Sequence, residues 1–140
     1  MAIPTKILLE IVTPDRALIR EEVDEIQLPG SEGYLGVLPG HTPLLTTLKV
    51  GELWYRVGAE KHYLAIAGGF VEILPERVTV LAQIAERGQD IDIARAEAAK
   101  RRAEERLARP SSDVNFERAR IAMMKSLIRL QVASRARTRV

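Results

Sequence analysis

The chain has 140 residues, of which 46% are hydrophobic and 29% charged, and its net charge is +2. That is enough apolar material for one compact domain or two small ones, and no apolar run approaches the roughly 18 residues of a membrane span. There is no cysteine, which excludes disulfide frameworks, thiol catalysis and the usual cysteine zinc sites. The start lacks the basic and apolar stretches of a secretory signal, so a soluble cytoplasmic product is expected. The small net charge hides a division at Gly88: residues 1–88 carry 8 Lys and Arg against 12 Asp and Glu, while residues 89–140 carry 13 against 7. An acidic module joined to a basic arm follows.

Up to about residue 85, short runs rich in Val, Ile, Leu, Thr and Tyr alternate with Gly, Pro and Asp breaks at roughly 8 to 12 residue intervals. The pattern predicts about ten short strands in two antiparallel sheets, a sandwich or flattened barrel over residues 1–87. Nine are placed: 6–12, 17–20, 23–28, 34–38, 42–46, 51–57, 61–65, 70–74 and 77–82. Pro14-Asp15 and Pro29-Gly30 fit turns in which proline presets φ, and Gly68-Gly69 can supply positive φ or a close backbone approach.

After Gly88 the composition becomes Ala, Arg, Glu, Lys, Ile and Leu, which predicts a helix over 91–108 capped by Asp90 or Asp92. Pro110-Ser111-Ser112-Asp113 breaks the pattern and starts a second helix, so residues 88–140 form an antiparallel hairpin. Ala96, Ala99, Ala103 and Leu107 share one face of the first helix. On the second, Phe116, Met123, Leu127 and Leu130 form the expected packing stripe, widened by Ile121, Met124, Ile128 and Val132. Short helices that hold only each other are marginal in water, so the arm is expected to be mobile.

Catalytic chemistry finds no foothold. The Gly-rich run GSEGYLGVLPGHTPL lacks the Lys and Ser or Thr of a phosphate loop and leads into no helix. His41 and His62 stand without paired carboxylates, which disfavours a metal, and no serine sits in a nucleophile elbow. Glu21, Glu22, Asp24 and Glu25 read as a solvated strand face. Arg118, Lys125 and Arg129, separated by 7 and 4 residues, share a strip of the second helix, and Arg95, Arg102 and Arg106 share a side of the first. Such stripes fit an anionic partner: an acidic protein segment, a nucleotide phosphate or nucleic acid. The tail residues Arg135, Arg137 and Arg139 read as a frayed electrostatic extension.

Four segments carry a resemblance that covers essentially the whole chain: EGYLGVLPGHTPLL at 32–45, AIAGGFVEI at 65–73, VTVLAQIAERGQDID at 78–92 and the Ala- and Arg-rich hairpin. Together they resemble the epsilon-subunit family of bacterial and chloroplast F-type ATP synthases. The resemblance implies a non-catalytic rotor subunit whose sandwich meets the gamma subunit and the c-ring. It also implies a hairpin that inhibits ATP hydrolysis and meets an acidic segment of the beta subunit. The expected place is the cytoplasmic face of a bacterial membrane, peripheral and without insertion. Partner-facing positions carried over are Glu32, Tyr34 and His41, with Arg118, Lys125 and Arg129 on the second helix; Tyr34 replaces an acidic residue found in some relatives.

Some members of that family bind ATP as a regulatory ligand through a motif that IDIARA at 91–96 matches. The resemblance then implies an ATP site of Glu86, Ile91, Asp92, Arg95, Arg102, Lys125 and Arg129, with Lys125 standing where characterised binders have arginine. The competing reading is a basic helical hairpin that binds nucleic acid. It is weakened by the arm's single aromatic, Phe116, since base stacking needs exposed rings.

Overall fold

The computed structural model describes residues 3–109 and 115–137. Seven strands come first: β1 (Ile7–Val12), β2 (Ala17–Val23), β3 (Glu25–Gly30), β4 (Gly33–Val37), β5 (Leu44–Val57), β6 (Glu60–Ile73) and β7 (Arg77–Arg87). A 3-10 turn at Gly88–Asp90 leads to α1 (Ile93–Ala108), and α2 (Phe116–Arg137) closes the described chain. The strands form one hydrogen-bonded sheet in the order β2-β1-β7-β6-β5-β3-β4. Folded over on itself, it encloses Leu9, Ile11, Ile26, Leu28, Leu53 and Val71 in a single core.

The expected β-sandwich with a helical hairpin is present, but its strands are fewer, longer and differently paired. The runs at 42–46 and 51–57 are one 14-residue strand, β5, and those at 61–65 and 70–74 are another, β6. Inward-facing positions on β6 change from Leu64 and Ile66 to Val71 and Ile73, a shift from even to odd numbers. The shift occurs at Gly68 and Gly69, with φ of 78° and 124°. Such a bend carries a strand from one layer to the other without ending it. The glycines do supply positive φ, but at a corner inside a strand. Nor is the sheet wholly antiparallel, since β1 runs parallel to β7. Those strands lie some 70 residues apart in sequence, and no local turn signal encodes such a pairing.

Asp92 caps α1, its Oδ1 accepting from the Arg95 amide at 3.1 Å. Residues 110–114, where the second helix was expected to start, lie outside the described residues. Asn115 does the capping there, its Oδ1 accepting from the Arg118 amide at 3.0 Å. The helix interface corrects the expected stripe. Ala96 and Ala103 are buried on α1 as anticipated. On α2 Ala119 and Ser126 are buried, and Val132 and Ala133 are buried with Ala65 of the sheet and Ile91, while Phe116, Ile121 and Leu127 are 46%, 39% and 45% exposed. Small residues facing small residues let the backbones approach closely, which pushes the larger side chains to the flanks. Ser126 satisfies its own hydroxyl on the Ala122 carbonyl at 2.9 Å.

Candidate functional site

The outward surface of β5, β6 and β7 is divided at the glycine bend. On one side of it, registered pairing places Thr47, Phe70, Leu81 and Val12 in a row across four strands. Leu45, Phe70 and Leu81 are 72%, 55% and 51% exposed. On the other side the last turns of α2 lie against the sheet, where Val132 and Ala133 bury with Ala65 and Ile91, flanked by Tyr63 and Ile128. Gly88 is the point of closest approach: a Cβ there would stand 2.5 Å from the Ala136 Cβ and 3.0 Å from the Val132 carbonyl oxygen.

Three arginines of α2 make polar contacts here. Arg129 grips Glu86 with two hydrogen bonds, Nε to Oε1 at 2.7 Å and Nη2 to Oε2 at 3.2 Å. Arg135 brings Nε to 3.2 Å from Glu52 Oε1, and its guanidinium lies 6.0 Å from the centre of the Tyr63 ring. Arg137 Nη2 donates to the Ile91 carbonyl at 3.1 Å. Arg135 and Arg137 are therefore ordered anchors rather than a frayed tail; Arg139 lies outside the described residues.

Between the sheet and the hairpin a pocket of about 250 Å³ remains, floored by Val50, Ala67 and Ile84, closed by Ala99 and Ala122, and edged by Glu86, Lys125 and Arg129. Three of the seven expected nucleotide-site residues therefore meet at one opening. Ile91 instead serves the apolar cluster, and Asp92 serves the helix cap. Arg95 and Arg102 are exposed on α1 and do not line the pocket. The basic strip on α2 also divides, because Arg118 faces solvent while Lys125 and Arg129 face the sheet.

Among the expected platform residues, Glu32 lies in the β3–β4 turn, Tyr34 on β4 and His41 in the connection to β5. The Tyr34 hydroxyl accepts from the Glu52 amide at 3.2 Å, filling a gap where the β3–β5 register shifts between Gln27 and Gly30. Proline at position 29 has no N–H to offer the ladder there. His41 Nδ1 lies 2.6 Å from the Thr42 carbonyl oxygen.

The acidic cluster is more than a solvated face. Asp24 is tied to Lys6 and accepts from the Gly58 amide at 2.7 Å; the Lys6 hydrogen bond, then the Gly58 bond, holds its carboxyl below the usual range. Burial, then the Glu21 charge, pushes the Tyr55 hydroxyl up to about 12. Sequence reasoning missed both these ties and the places of Glu52 and Gly88 beneath α2, because each depends on elements distant in the chain.

Residues 6–88 match the family described as ATP synthase, Delta/Epsilon chain, beta-sandwich domain, and residues 89–134 match ATP synthase, Delta/Epsilon chain, long alpha-helix domain. The ATP synthase epsilon chain of Syntrophobacter fumaroxidans is 49% identical over 93% of this chain and 97% of its own length. That of Nitratidesulfovibrio vulgaris is 47% identical over 91% of this chain and 96% of its own. Among solved structures, a chain of the Euglena gracilis mitochondrial ATP synthase, in its OSCP/F1/c-ring assembly, superposes with a TM-score of 0.82 at 27% identity, covering 96% of this chain and 84% of that one. A chain from the central stalk and c-ring of the Tetrahymena thermophila mitochondrial enzyme shares the fold, with a TM-score of 0.55 at 14% identity over 98% of this chain and 100% of that one. Matched along both its sheet and its hairpin, the chain belongs to the delta/epsilon chain family of ATP synthases.

Proposed function

We propose that this chain is a non-catalytic rotor subunit of a proton- or sodium-driven rotary ATP synthase, coupling the catalytic head to the c-ring and restraining ATP hydrolysis through a hairpin that leaves the sheet. The observation that carries this reading is the division of one sheet surface. Half of it carries the uncovered apolar side chains Leu45, Phe70 and Leu81, and the other half lies under α2. A group of large apolar side chains left uncovered on one sheet face is the signature of an interface. The gamma subunit is assigned to that group, the c-ring to the region of Glu32, Tyr34 and His41, and an acidic segment of the beta subunit to the released basic helices. The working place is then the cytoplasmic face of a bacterial membrane. Family membership favours this over the nucleic-acid reading.

Binding to an epsilon-depleted ATPase complex tests the assignment. The full chain should bind at micromolar concentration or tighter, and Phe70→Ala should weaken binding by more than about 1 kcal/mol, as truncation of a central aromatic anchor does. A chain that does not bind the depleted complex, or a Phe70→Ala variant that binds equally well, counts against it.

The pocket is proposed as the regulatory ATP site. Its apolar floor suits a purine, and Arg129 exchanges Glu86 for phosphate oxygens. Millimolar ATP should raise the melting temperature by several degrees if its concentration is about 100 times Kd, where ligand binding contributes about 2.7 kcal/mol. Arg129→Ala should remove the shift, and Lys125→Arg should enlarge it by restoring a bidentate fork. Because Arg95 lies outside the pocket, loss of the shift on Arg95→Ala would show that α1 moves inward on binding. A flat melt in millimolar ATP dismisses the site.

A further inference from the structure

We infer that Glu52 is a release charge, a carboxylate placed under α2 so that docking the helix dehydrates it and lifting the helix restores its water. The inference rests on the proposal that the hairpin leaves the sheet. Glu52 occupies an outward position of β5, opposite Ala65 on β6. Ala65 belongs to the apolar cluster with Ile91, Val132 and Ala133, so an aliphatic side chain at 52 would extend that cluster. The sequence places a carboxylate there, and it is only 4% exposed.

Its compensation is incomplete. Arg135 Nε stands at 3.2 Å, within ion-pair distance, yet Oε1 has no aligned hydrogen bond. The Arg135 side chain is itself 53% exposed, so much of its charge remains solvated. The second ion pair beneath the same helix is built differently, with Arg129 and Glu86 joined by two aligned hydrogen bonds. One pair therefore holds the helix, and the other offsets part of that hold. Replacing a poorly compensated buried ion pair by apolar groups commonly stabilises the buried state, whereas removing only the cation leaves a bare buried charge. Two partners of one ion pair should then respond with opposite signs.

The chain contains no cysteine, so a thiol introduced by Ala65→Cys beneath α2 reports lifting of the helix through its labelling rate. In that background Glu52→Leu should slow labelling roughly tenfold, and Arg135→Ala should accelerate it roughly tenfold. The double variant Glu52→Leu with Arg135→Ala should label no faster than the parent. Glu52→Gln, which keeps the shape and removes the charge, should slow labelling in the same direction and guards against a repacking effect of leucine. Faster labelling on both Glu52→Leu and Glu52→Gln would make Glu52 an ordinary anchor and overturn the inference while leaving the mobile hairpin intact. Labelling that occurs only with global unfolding of the sheet would overturn both the inference and the mobile hairpin.

Discussion

Replacing Gly69 by alanine should cost the fold more than about 4 kcal/mol, enough to remove most of the stability of a small domain. Gly69 has φ of 124°, and a Cβ there would stand 2.1 Å from the Leu81 carbonyl oxygen and 2.8 Å from the Ala82 Cα. Two costs combine. The left-handed backbone conformation alone costs about 1–3 kcal/mol for a residue with a side chain. The clash is with backbone rather than with a flexible side-chain tip, so relief requires β6 and β7 to separate at their bend. Gly33→Ala isolates the first cost, because Gly33 has φ of 135° and an added Cβ would find nothing within 4 Å. Urea denaturation followed by circular dichroism should show a modest loss for Gly33→Ala and a collapse for Gly69→Ala. Equal losses would mean that the corner of the sandwich does not depend on the close approach at position 69.

The same glycine pair shows where sequence reading succeeds and where it stops. Gly68-Gly69 stands out as a conformational break, and the break is real. Its consequence is not local, because hydrogen bonding continues across it from Ala67 and Gly69 to partners on both neighbouring strands. A pattern of residue types registers the loss of alternation but cannot tell a strand end from a strand corner. The parallel β1–β7 pair is hidden for a related reason: its evidence is spatial closure alone. The alanine face of α1 is legible because Ala96 and Ala103 repeat at helical spacing. The matching face of α2 is not, because a large apolar side chain suggests burial more strongly than a small one does. Close packing favours small groups at the line of contact, and Ala119 and Ser126 supply them.

Charge is legible in sum but not in partner. The basic arm implies an anionic surface, and in the docked hairpin part of that surface belongs to the same chain, at Glu86 and Glu52. The acidic first part of the chain thus supplies an internal competitor for Arg129 and Arg135. Under the proposed function, an external anion gains the hairpin only to the extent that it outcompetes these carboxylates. A partly exposed ion pair such as Arg129–Glu86 weakens with salt, whereas the Val132 and Ala133 cluster does not.

That competition makes the fit at Gly88 decisive, and Gly88→Ala should shift the hairpin toward its lifted state by about 3 kcal/mol, roughly a hundredfold, the upper end of the cost of overpacking. The added methyl would stand 2.5 Å from the Ala136 Cβ, 3.0 Å from the Val132 carbonyl and 3.3 Å from the Tyr63 carbonyl. No positive φ is involved at this position, so the sheet need not strain to accept the substitution; the helix must move. Labelling of the thiol introduced by Ala65→Cys should therefore accelerate about a hundredfold, while the denaturation midpoint of the sheet stays near that of the parent chain. Ala136→Gly removes the atom nearest the new methyl and should restore part of the slow labelling in the double variant, leaving the Val132 carbonyl contact as the remainder of the effect. If Gly88→Ala labels at the parental rate, α2 tolerates a side chain at the junction, and the fit at Gly88 does not control lifting.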